Sequence, residues 1–157
     1  MVRISRIQGQ AGFCRIYLLP PADTSYISLH SALTFYGLIP ESVVQITSVT
    51  SLKTASFTND FGEYSYKSVK SDLMFGYFRR PIADGQSVPY ATMEKALLDL
   101  LYLYPFYNTA SELLELRLDQ DILRENLEQR TWRSMGKRFH CARLEKRMQL
   151  LEKVYHI

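Results

Sequence analysis

The chain has 157 residues, 46% of them hydrophobic and 22% charged, with a net charge of +3, which is the balance of one globular domain with a real core. Its longest apolar stretch, Ala96 to Tyr107, is interrupted by Asp99 and Pro105, so no membrane span is expected. Arg3, Arg6 and Arg15 lie among polar residues without an apolar run, and Cys14 and Cys141 lie far apart, so no secretory signal, free buried thiols and a cytoplasmic location are expected.

Residues 1–24 alternate loosely (Ile4, Ile7, Phe13, Ile16, Leu18) and end in Pro20-Pro21, as one or two short strands and a linker would. Leu29, Ala32, Leu33 and Tyr36 recur at helical spacing between Ser28, a good N-cap, and Gly37, a good C-terminal stop, which predicts a two-turn helix. Pro40 prevents its continuation. From Val43 the pattern turns to β-branched and aromatic residues with period two. It predicts a strand through Val44, Ile46 and Val49, a second over Thr54 to Thr58, and a third carrying Tyr64, Tyr66 and Val69. Asn59-Asp60-Phe61-Gly62 supplies the turn between the last two. Met74 to Phe78 is a candidate fourth strand, and Pro81 to Gln86 reads as a loop.

The C-terminal half reads as helical. Thr92 caps a helix whose only polar stripe is Lys95, Asp99 and Tyr102, so it is expected to be buried on most sides. Asp99 reads as a structural carboxylate paired with a neighbour such as Lys95 one turn back, ahead of the alternative of a perturbed functional acid. Thr109-Ala110-Ser111-Glu112 is a capping box, and another helix begins near Asp119. The last is expected from Lys137 to Tyr155, with Cys141, Leu144, Met148, Leu151 and Tyr155 forming an apolar stripe. The predicted fold is α+β: a small antiparallel sheet of three or four strands followed by a helical C-terminal half.

Charge is distributed unevenly. Residues 94–128 carry eight acids against Lys95, Arg117 and Arg124, whereas residues 130–157 carry eight bases against Glu145 and Glu152. A basic tail behind an acidic segment fits an anionic partner, or a match within the chain. The apolar stripe of the last helix would turn Arg143, Lys146 and Arg147 outward, with Lys137 and Arg138 ahead of them. These five are the candidate contacts to DNA, RNA or another anion.

Catalytic signatures are not found. His30, His140 and His156 are scattered, which gives no metal-ligand spacing. Asp60-Phe61-Gly62 stands without the glycine-rich loop, strand lysine and catalytic loop a kinase requires. No phosphate-binding loop or dinucleotide fingerprint occurs. Neither catalytic residues, nor a metal, nor a cofactor is expected, and the chain is read as a binding protein rather than an enzyme.

Two stretches are more specific. Ser25-Tyr26-Ile27-Ser28-Leu29-His30-Ser31-Ala32-Leu33, continuing to Tyr36-Gly37-Leu38-Ile39-Pro40-Glu41, and Ala91-Thr92-Met93-Glu94-Lys95-Ala96-Leu97-Leu98-Asp99 resemble the two hallmarks of the AbiEi antitoxin family. Thr47-Ser48-Val49-Thr50 with Lys53-Thr54, then Phe61-Gly62, Tyr64-Ser65-Tyr66-Lys67 and Phe75-Gly76-Tyr77, follow the family order. The resemblance covers residues 25–105, and the later helices fit in general character. It implies residues 25–157 as an antitoxin domain behind a lead-in segment, 1–24. The implied role is in a bacterial abortive-infection, phage-defence toxin–antitoxin pair, countering a nucleotidyltransferase toxin encoded beside it. Family members usually add a winged helix-turn-helix that represses their operon. The segment before Tyr26 is too short for one, and is expected to be a remnant of a wing or a different lead-in. Met93 stands where the family favours proline at the first helical position.

Overall fold

A computed structural model describes residues 24–41, 44–60, 62–82 and 85–157. The lead-in segment through residue 23 lies outside the described residues, as do Cys14 and Phe61. The chain forms β1 (Ser25–Ile27), α1 (Leu29–Phe35), β2 (Gln45–Thr50), β3 (Ala55–Asn59), β4 (Gly62–Ser68), β5 (Tyr77–Pro81) and β6 (Ser87–Ala91). Then come α2 (Met93–Leu103), α3 (Ala110–Glu115), α4 (Gln120–Asn126), α5 (Gln129–Lys137) and α6 (Ala142–Tyr155). The class is α+β, as the periodicities imply.

The sheet is larger than expected and mixed. Its order is β3-β4-β2-β1-β6-β5. β2 pairs with β4 and β1 with β6 in parallel, whereas β1–β2, β3–β4 and β5–β6 are antiparallel. The expectation of three or four antiparallel strands is therefore corrected. Only the Asn59–Gly62 hairpin announces itself locally, because a parallel pair is joined through other elements and leaves no turn signature. β6 contains Pro89, which argues against a strand inside a sheet when read alone. The fourth strand is displaced from Met74–Phe78 to Tyr77–Pro81, behind a 3₁₀ turn at Ser71–Leu73.

Helix ends follow the local chemistry closely. Leu38 N–H bonds to Leu33 O and Gly37 N–H to Thr34 O, with Gly37 at φ +73, so α1 closes with a Schellman motif that needs a residue tolerant of left-handed backbone. Thr92 Oγ1 accepts from Lys95 N at 3.3 Å, and Thr109 with Glu112 completes the expected capping box. Ser28 occupies the N-cap position of α1, but its hydroxyl caps nothing because it is used elsewhere, as shown below.

α2 is the central element. Every residue from Met93 to Leu101 is buried, and the helix touches α1, α5, α6 and β6. The final helix, expected from Lys137, begins only at Ala142, and α5, which the periodicity did not announce, ends at Lys137 where it was expected to start. α5 and α6 pack antiparallel, with Trp132 bonded to Glu152 and the Gly136 backbone against Met148, and the break falls at His140, whose φ is +47. Among the described residues no helix is long and apolar enough to cross a membrane.

Candidate functional site

The two hallmark stretches of the family resemblance meet around Asp99. This carboxylate is fully buried and accepts from Tyr26 Oη at 2.9 Å, Ser28 Oγ at 2.8 Å and Lys95 Nζ at 2.5 Å. Tyr26 and Ser28 come from the first hallmark, whereas Lys95 and Asp99, one turn apart on α2, come from the second. Thr47 on β2 ties in by donating to Ser28 O at 2.8 Å. Phe75-Gly76-Tyr77 closes the far side. Phe75 and Phe139 each place a ring centroid 4.5 Å from Lys95 Nζ, and Tyr77 stacks on Tyr26 at 4.8 Å. A side chain on Gly76 would meet Lys95 at 3.1 Å, so glycine permits this approach.

Electrostatically the node is a desolvated ion pair in an aromatic box. Burial pushes the Asp99 carboxyl up and the Lys95 ammonium down, and their mutual attraction opposes both shifts. Burial, reinforced by the Asp99 charge, raises the Tyr26 phenol. Lys95 and Asp99 have no solvent exposure, so no substrate reaches them. The node organises the fold and offers no surface for chemistry. The expected Lys95–Asp99 pair is present, and it explains the polar stripe of α2.

The five basic candidates do not form one face. Lys137, Arg138, Arg143 and Lys146 are exposed, and the Arg138 guanidinium lies 3.6 Å from the Phe75 ring centroid. Arg147 is a correction. It is buried, and its Nη1 donates to Leu101 O at 2.9 Å. That carbonyl is one of the unpaired acceptors at the C-terminal end of α2, so Arg147 caps a helix end from across the interior. Its sequence position, between Leu144, Met148 and Leu151 on the inward stripe, is the one local clue. Two further exposed cations belong to the basic segment but not to the five candidates. Arg130 and Arg133 share a stripe with Lys137 on α5, and Arg133 reaches Glu152 at 3.6 Å. Among the described residues no ion pair joins a base of 130–157 to an acid of 94–128.

A cleft of about 470 Å³ opens between α1, β2 and the end of α3. It is lined by His30, Ile39, Glu41, Gln45, Thr47, Tyr104, Tyr107, Glu115 and Leu116. His30 stands edge-on to Tyr104 at 5.7 Å, and burial holds its imidazole below the ordinary value against the opposing pull of Glu41. Burial raises the Tyr107 phenol, with Tyr104 and the Glu115 carboxylate adding to the effect. Glu41 is bridged at the rim by Arg117 at 3.0 Å, both groups well exposed. Five separate segments supply this lining, which is why no sequence motif points to it.

Among the described residues no three His, Cys, Asp or Glu side chains gather where they could hold a metal ion. Cys141 is a half-buried free thiol. No family model matches the sequence, and no curated protein matches it.

Proposed function

We propose that this chain is an antitoxin domain of the AbiEi type, acting without an active site of its own to counter a nucleotidyltransferase toxin in the bacterial cytoplasm. One observation carries the reading. Stretches scattered from Ser25 to Asp99 that resemble the family hallmarks converge on one buried node of Tyr26, Ser28, Lys95 and Asp99. Residues spread across the chain that meet at one structural centre support a shared architecture better than scattered surface matches would. The test is co-expression with the protein encoded by the adjacent reading frame. Rescue of growth in toxin-expressing cells is expected, and failure by a folded, well-expressed product overturns the assignment.

A second reading, a nucleic-acid-binding regulator, is favoured by the exposed cations Arg130, Arg133, Lys137, Arg143 and Lys146 on α5 and α6. Its mark is a steep salt dependence of DNA or RNA binding.

A further inference from the structure

We propose that the cleft beside α1 binds a guanidinium group, the arginine side chain of a protein partner, against the Tyr107 ring and the carboxylates of Glu115 and Glu41. This does not depend on the antitoxin reading. A guanidinium is planar, weakly hydrated and rich in donors, so it pairs with carboxylates in two-point contacts and stacks on aromatic rings. The cleft offers both kinds of partner within about 470 Å³, with His30 and Gln45 completing its polar lining. Among the described residues the Glu115 carboxylate makes no hydrogen bond or ion pair, and the Glu41 carboxylate is held only by the exposed Arg117. Two carboxylates at the mouth repel phosphate and carboxylate ligands, which excludes the anions suited to α5 and α6. The chain's own arginines already follow this chemistry. Arg117 pairs with Glu41 at the rim, and Arg80 stacks over Phe35 at 4.1 Å. Lys67 approaches the Tyr104 ring at 5.9 Å, and the Tyr107 ring lies 4.4 Å from that of Phe106 and edge-on to Tyr104 at 6.5 Å, so the incoming group would join an aromatic cluster that already attracts a cation.

The test is a titration of the full chain with N-acetyl-arginine methylamide, followed by NMR shifts of His30 and Glu115. The neutral isostere N-acetyl-citrulline methylamide serves as the control. Saturable binding of the arginine compound is expected, with the citrulline compound about tenfold weaker or worse. Glu115→Gln should weaken arginine binding about tenfold, because it removes a charge-assisted contact. Arg117→Gln should tighten it several-fold by releasing Glu41. Both substituted side chains, Glu115 and Arg117, are exposed, so an unchanged melting temperature verifies that each variant is folded. Equal binding of arginine and citrulline compounds, an unaffected Glu115→Gln variant, or no saturable shift at all would each overturn the proposal.

Discussion

Asp99→Leu is the sharpest perturbation of this fold. The wild-type carboxylate satisfies three buried donors at once: Tyr26 Oη, Ser28 Oγ and Lys95 Nζ. Removing one partner of a buried ion pair costs about 3–5 kcal/mol, since the remaining charge is left uncompensated in a poor dielectric. Each orphaned hydroxyl adds about 1–3 kcal/mol. Deprotonation of Lys95, which burial already favours, limits the first contribution. A net loss of about 4 kcal/mol is then expected, against the ~5–15 kcal/mol by which domains are usually stable. At ~2–4 °C per kcal/mol for a chain of this size, the melting temperature should drop by about 10 °C. The assay is thermal and urea unfolding followed by circular dichroism. Lys95→Met combined with Asp99→Leu should recover about 1–2 kcal/mol relative to Asp99→Leu alone, because no charge is stranded. A single variant within about 0.5 kcal/mol of wild type, or a double variant no more stable than the single, would refute the picture of a coupled buried node.

Arg147→Gln should destabilise the chain by about 2 kcal/mol through loss of the bond to Leu101 O, whereas Lys137→Gln, Arg143→Gln and Lys146→Gln together should leave urea unfolding nearly unchanged. If those three touch phosphates, their removal should flatten the salt dependence of nucleic-acid binding by about one unit of slope per contact. An undiminished slope would exclude them. Gly136→Ala places a Cβ against the terminal Sδ and Cε of Met148, and re-seating that flexible side chain between α5 and α6 should cost about 1 kcal/mol by chemical denaturation; a stabilised variant would contradict the contact. Burial raises the Tyr26 phenol and pushes that of Tyr36 up to about 12. The folded chain therefore keeps protons that the unfolded chain releases above the ordinary tyrosine value. Stability should fall as pH rises beyond about 10, read as a declining urea midpoint alongside phenolate absorbance. A flat midpoint across that range would show these phenols to be exposed.

Local features were legible because short-range physics sets them. Gly37 had to be a helix stop, Thr92 and Thr109 had to be caps, and Asn59 to Gly62 had to turn, since each choice depends on backbone geometry within a few residues. The pairing of Lys95 with Asp99 was legible for the same reason, as the two stand one helical turn apart. Tertiary structure decided the rest. Nothing near Ser28 foretells that its hydroxyl leaves the helix cap to reach Asp99. Nothing near Pro89 marks a strand lying between β1 and β5. Arg147 looked like surface charge because its acceptor is a main-chain carbonyl at the end of α2, and every residue type has that group. The cleft likewise exists only where five segments come together. Periodicity and caps determined which segments would be strands and helices, whereas long-range packing decided which face each charge would meet, because burial and partnership depend on neighbours distant in sequence.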